Sequence, residues 1–119
     1  SRELTQMFNL CTGVQMDVSN VLRAAERVIN LERCFNVREG VTRRDDTLPD
    51  RYFKEPLPDG PYRGEALDRD AFERMKDEYY AMRGWNTETG IPTKEKLLEL
   101  GLTYAAEELE RLGKLPEKM

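Results

Sequence analysis

The chain has 119 residues, a net charge of −4 and 35% charged against 39% apolar residues, enough for one modest core and a large solvated surface. Its pI near 5.0 argues against sequence-independent nucleic-acid binding, which needs Lys and Arg to neutralise phosphates. No run approaches the ~20 apolar residues of a membrane span, no signal peptide is visible, and the lack of any histidine removes Ser–His–Asp and Cys–His catalysis and every His-containing metal site.

Leu4, Met7, Phe8 and Cys11 recur at i, i+3, i+4 and i+7, the face of a first helix that Thr12-Gly13 would stop. Asp17 is a good N-cap for the strongest helix, roughly 18–37, with Gly40 just past its end. Along it Val18, Val21, Leu22, Ala24, Ala25, Val28, Ile29, Leu31 and Phe35 fill about half the circumference at ~100° per residue. A stripe that broad needs more than one neighbour to cover it. Glu32 and Asn36 fall inside the same arc. Either the helix end is open there and both are solvated, or both are buried and hydrogen-bonded, with Arg38, Arg43 and Arg44 as partners. In the second case Glu32 pins the start of the segment that follows.

That segment, GVTRRDDTLPDRYFKEPLPDGP at 40–61, carries Pro49, Pro56, Pro58 and Pro61 among dense charges and reads as an irregular connector. Beyond it Asp68 or Asp70 caps a helix to about Arg83, with Phe72, Met75, Tyr79 and Met82 on one face and Gly84 as its stop. WNTETGIP (85–92) is a turn. Thr93 caps a short helix bearing Leu97, Leu98 and Leu100 and ended by Gly101; Thr103 caps a last one bearing Leu109 and Leu112 and ended by Gly113. The tail KLPEKM should be frayed. No segment alternates with period 2, so the expected fold is all-α: one helical domain over 1–119, about five helices and a long Pro-rich irregular loop at about 40–66.

Asp45, Asp46 and Asp50 invite a calcium reading, but Leu48-Pro49 interrupts them and the central Gly of an EF-hand loop is missing. A surface turn in which Asp46 or Thr47 caps a short turn near Pro49 suits them better. Asn86, Glu88 and Gly90 read as a tight turn, and Glu107-Glu108 are helix neighbours that do not converge. Tyr79, Tyr80 and Trp85 could form an aromatic platform, though core packing explains them more simply. PTKEKLLELGLTYAAEELERLG has the outline of a helix–turn–helix, but its second helix offers Glu107, Glu108 and Glu110, which phosphates would repel. Cys11 and Cys34 belong to no CxxC motif and read as small buried hydrophobes of a cytoplasmic protein. On motifs alone the chain offers no catalytic, cofactor-binding or metal-ligating residue.

AERVINLERCFNVREGVTRRDDTLPDRYFKEPLPDGP (25–61) and DEYYAMRGWNTETGIPTKEKLLELGL (77–102), preceded by LCTGVQMDVSNVL (10–22), together resemble the C-terminal domain of the tungsten-containing aldehyde:ferredoxin oxidoreductase family. The resemblance implies a helical domain of a larger enzyme that oxidises aldehydes to carboxylic acids and passes electrons to ferredoxin. It also implies tungsten or molybdenum on a bis-pterin cofactor beside a [4Fe–4S] cluster, both held upstream of Ser1. Cys11 and Cys34 match none of the family's cluster ligands, so the chain itself should be structural, with the upstream domains as its partners. On this reading the 40–66 loop crosses the parent's body, its charges satisfied by neighbouring domains. Without those neighbours residues 41–66 should be mobile or take up new contacts, and the chain could self-associate. The alternative is a free-standing helical module that binds a protein partner through the Val18–Phe35 stripe.

Overall fold

Caps set the helix limits in the computed structural model, which describes residues 1–116. Among these it contains six helices: α1 (Arg2–Thr12), α2 (Val18–Arg38), α3 (Arg51–Lys54), α4 (Arg69–Arg83), α5 (Lys94–Glu99) and α6 (Thr103–Arg111). A 3-10 turn, Arg43–Asp45, precedes α3. The described residues contain no strand, only an isolated bridge between Trp85 and Pro92. The carboxylate of Asp17 accepts the Asn20 N–H at the head of α2, Asp68 accepts that of Ala71 before α4, and the Thr93 hydroxyl that of Lys96 before α5. The head of α6 differs from expectation: Leu102 is the N-cap and makes no side-chain cap bond, while Thr103 is already helical. The helix count exceeds the expected five by α3, a single turn inside the Pro-rich connector and too short to carry a periodic signal.

The core lies at the carboxyl end. Leu97, Leu100, Leu102, Ala106 and Leu109 close over Cys34 and Val37 of α2, with Ile91 at the edge. The apparent helix–turn–helix is therefore the core itself, α5 and α6 folded together with Leu97, Leu100, Leu102 and Leu109 inward. Lys114 donates to the Arg38 and Val37 carbonyls (2.5 and 3.3 Å), and Leu115 packs on the core. The expected fraying therefore fails for these two residues, and 117–119 lie outside the described part. At the other end α1 packs on α2. The corner between them is set by Asn9, whose side chain donates to the Met16 carbonyl (2.8 Å) and accepts from its N–H (3.0 Å).

The broad stripe of α2 does not face this core. Its buried residues are Asn30, Arg33, Cys34 and Val37, whereas Leu22, Val28, Leu31 and Phe35 stand open. Likewise α4 buries Lys76 and Tyr80 and leaves Met75, Tyr79 and Met82 exposed. The molecule is accordingly flat, 51 × 41 × 22 Å, with a radius of gyration of 18.3 Å, against ~13.5 Å for a compact chain of this length. Its accessible surface of 8666 Å² exceeds by roughly 2,000 Å² what a folded monomer of this mass usually shows.

Candidate functional site

The densest chemistry is a knot of charged and aromatic side chains where α2, the 3-10 turn, α4 and the 85–92 turn meet. Arg33 stands at its centre, 8% exposed. Its guanidinium grips the Asp46 carboxylate with two parallel bonds (2.8 and 2.5 Å), the bidentate geometry that makes such pairs strong. Its Nε donates to the Gly90 carbonyl at 2.8 Å, and the guanidinium carbon lies 4.9 Å from the Trp85 ring centroid. The Tyr80 hydroxyl donates to Asp46 as well, and the Lys76 ammonium donates to the Asp46 backbone carbonyl at 3.0 Å. The Trp85 indole N–H is taken by the Asn30 side-chain carbonyl at 2.8 Å.

A second arginine extends the knot. The backbone N–H of Arg43 donates to the Thr89 carbonyl (2.7 Å) and its guanidinium to the Thr87 carbonyl (2.5 Å) and to the carboxylates of Glu73 (2.7 Å) and Asp77 on α4. Gly90 is required beside it. Its φ is +69°, and a Cβ there would meet the Arg33 guanidinium at 2.6 Å and the Tyr80 ring at 3.0 Å.

These contacts set the protonation states. Burial acts to raise the Asp46 carboxyl, but the bonds from Arg33 and Tyr80 and the Arg33 and Lys76 charges outweigh it and hold Asp46 below its ordinary value. Burial and the adjacent carboxylate push the Tyr80 hydroxyl well up. The hydrogen bond from Arg43, then that from Lys76, keeps Glu73 low. Nothing here is a nucleophile or a base poised near neutrality, so the chemistry of the knot is that of a clamp.

The anchor of the connector is thus Arg33. Glu32 and Asn36 are both exposed, and the pinning role expected of Glu32 belongs to its neighbour. The expectation that the connector's charges wait for other domains also fails for most of them. Asp45 closes a capping box with Thr42, Asp46 meets Arg33, and Asp50 meets Lys54 (2.8 Å) and Arg69 (3.3 Å). The three aspartates therefore point to separate sets of partners, and among the described residues no group of three or more His, Cys, Asp or Glu side chains could hold a metal. The Asn86 side chain accepts the Glu88 and Thr89 N–H groups, the tight turn expected there. Tyr80 and Trp85 are buried with ring centroids 5.9 Å apart, and Tyr79 is open at their edge. With Phe72 and Met75 they line a groove of about 490 Å³ beside the knot. Cys34 is buried, its thiol pushed up to about 11 by desolvation, while Cys11 is exposed on α1 rather than buried; both are free.

Fold and knot define an all-helical unit, clamped by charge on one flank and open on the other. The sequence matches the family described as aldehyde ferredoxin oxidoreductase, domains 2 & 3, over residues 1–102, and the chain belongs to that family. It is 39% identical over 101 residues, 84% of its length, to a tungsten-containing aldehyde ferredoxin oxidoreductase of Pyrococcus horikoshii, and 40% identical over 97 residues to one of Pyrococcus furiosus. The WOR-like subunit of an aliphatic sulfonate oxidoreductase of Pyrococcus furiosus is 38% identical over 93 residues. Among solved structures, the active-site complex BamBC of benzoyl coenzyme A reductase with 1,5-dienoyl-CoA superposes with a TM-score of 0.78 at 30% identity, covering 98% of this chain and 16% of that one. The chain spans 16% of the length of the first of these relatives and 15% of the second.

Proposed function

We propose that this chain is the C-terminal helical domain of a tungsten or molybdenum oxidoreductase that converts aldehydes into carboxylates and passes the electrons to ferredoxin. The observation that carries the reading is the family match over residues 1–102. The open apolar faces of α1, α2 and α4 support it. Leu10, Leu22, Phe35 and Met82 are each more than half exposed, and the surface excess of roughly 2,000 Å² is of the order that a large domain–domain interface removes. The donor set here does not suit the implied cofactors: one buried thiol pushed up to about 11 and one exposed thiol on a different helix cannot supply the four cysteines of a [4Fe–4S] cluster. On this reading the cluster and the pterins belong to other domains, and this chain contributes shape and rigidity as their structural partner.

The test is the native polypeptide that contains NLERCFNVREG, isolated from the source cell. The expected result is a product several times 13.9 kDa carrying iron with tungsten or molybdenum. A product near 13.9 kDa without metal would favour the second reading, a free-standing interaction module, for which the open Val18–Phe35 stripe of α2 is the specific observation.

A further inference from the structure

Residues 41–83 are bounded by Gly40 and Gly84, both in the left-handed region (φ +102° and +72°). Between them lie the 3-10 turn, α3 and α4, which hold together by their own contacts. Arg43 ties to Glu73 and Asp77, Asp50 to Arg69, and the Phe53 ring packs edge-on against Phe72 with centroids 5.4 Å apart. This segment contributes no residue to the apolar core cluster. Its attachments to the rest include the Arg33–Asp46 clamp, the seating of Tyr79 and Tyr80 against Trp85, the bonds from Arg43 to the carbonyls of Thr87 and Thr89, and one backbone bond across each glycine, from Val41 N–H to the Asn36 carbonyl (3.0 Å) and from Trp85 N–H to the Tyr80 carbonyl (2.8 Å).

The geometry points to a hinged arm: residues 41–83 open as one unit about Gly40 and Gly84 when the Arg33–Asp46 clamp breaks, leaving the α2–α5–α6 core folded. Opening breaks the clamp and the two backbone bonds that cross the glycines, and it leaves the leucine core in place, because no residue of the arm belongs to that core. It would uncover Arg33 stacked on Trp85, a cationic surface that the closed arm covers with the Asp46 carboxylate and the Tyr80 ring.

Amide hydrogen exchange on the 119-residue chain tests this. In Asp46→Asn, the protected amides of the 3-10 turn and of α4 should exchange faster by one common factor of roughly tenfold or more, with α5 and α6 unchanged. Asp50→Asn removes a carboxylate that pairs only within the arm, and it should leave the Arg33–Asp46 clamp closed and show no such common tenfold acceleration. Acceleration of α5 and α6 in step with α4, or no acceleration of the arm, would overturn the proposal. Should Asp46→Asn not fold, exchange of the unmodified chain against rising urea gives the same answer. The arm amides then share one opening free energy below that of α5 and α6; equal values refute the hinge.

Discussion

The long helices α2 and α4 and the short helices α5 and α6 bury opposite kinds of surface. In α5, α6 and the caps between them most leucines turn inward, Leu97, Leu100, Leu102 and Leu109 each no more than 2% exposed, while Leu98 and Tyr104 stay outside. In α2 and α4 the inward face is mixed, Asn30, Arg33, Cys34 and Val37 on one and Lys76 and Tyr80 on the other, while the richest apolar stripes look outward. Hydrophobic periodicity reports that a helix face will be covered, without saying by what. The short pair is covered by its own chain, and on the proposed reading the long pair is covered by the parent enzyme.

Several substitutions would break or sharpen that contrast. Leu97→Ala, at a fully buried position, should cost about 3 kcal/mol in denaturant titration. Gly90→Ala should cost about 2 kcal/mol, because the new Cβ must displace the Arg33 guanidinium and the backbone must hold a positive φ. Asn30→Ala should cost about 1–2 kcal/mol by leaving the Trp85 indole N–H buried without an acceptor, and Trp fluorescence would follow the loss. Leu22→Ser and Phe35→Ser should stay within about 0.5 kcal/mol in the isolated chain, as should Glu32→Gln. A large loss at Leu22 or Phe35 would mean that the outer face is already covered, for instance by a second copy.

Knot and core together make stability depend on pH at both ends. Asp46 and Glu73 have folded values below their ordinary ones. Their contribution is therefore fully present above the ordinary carboxylate range and is lost as pH falls through the depressed folded values. Tyr80 and Cys34 are raised, so stability also falls as pH rises above their ordinary values. Melting temperature against pH should decline below about pH 4 and above about pH 9. Asp46→Asn should flatten the acid limb and Tyr80→Phe the alkaline one.

Most helix limits were legible because Asp17, Asp68 and Thr93 cap as their residue types suggest and glycines follow the stops. The knot was not. Asn30, Arg33, Cys34 and Val37 have the i, i+3, i+4, i+7 spacing of a buried face, but half of that face is polar, so the wider apolar arc outweighs it in any count of hydrophobic matches. Arg33 and Asp46 are joined by a tertiary contact that no local pattern encodes. A usable signal did exist: Cys34 and Val37, apolar residues that fall outside or at the margin of the broad arc, mark the second face and draw Asn30 and Arg33 with them.

The two cysteines give the molecule an internal clock. Cys11, exposed, is open to a thiol reagent in the folded chain, while Cys34, buried with its thiol at about 11, can react only when the leucine core parts around it. The ratio of the two labelling rates in one sample therefore reads how often the core opens. Because Cys34 sits on α2 and outside the arm, that reading should be indifferent to whether residues 41–83 are open or shut.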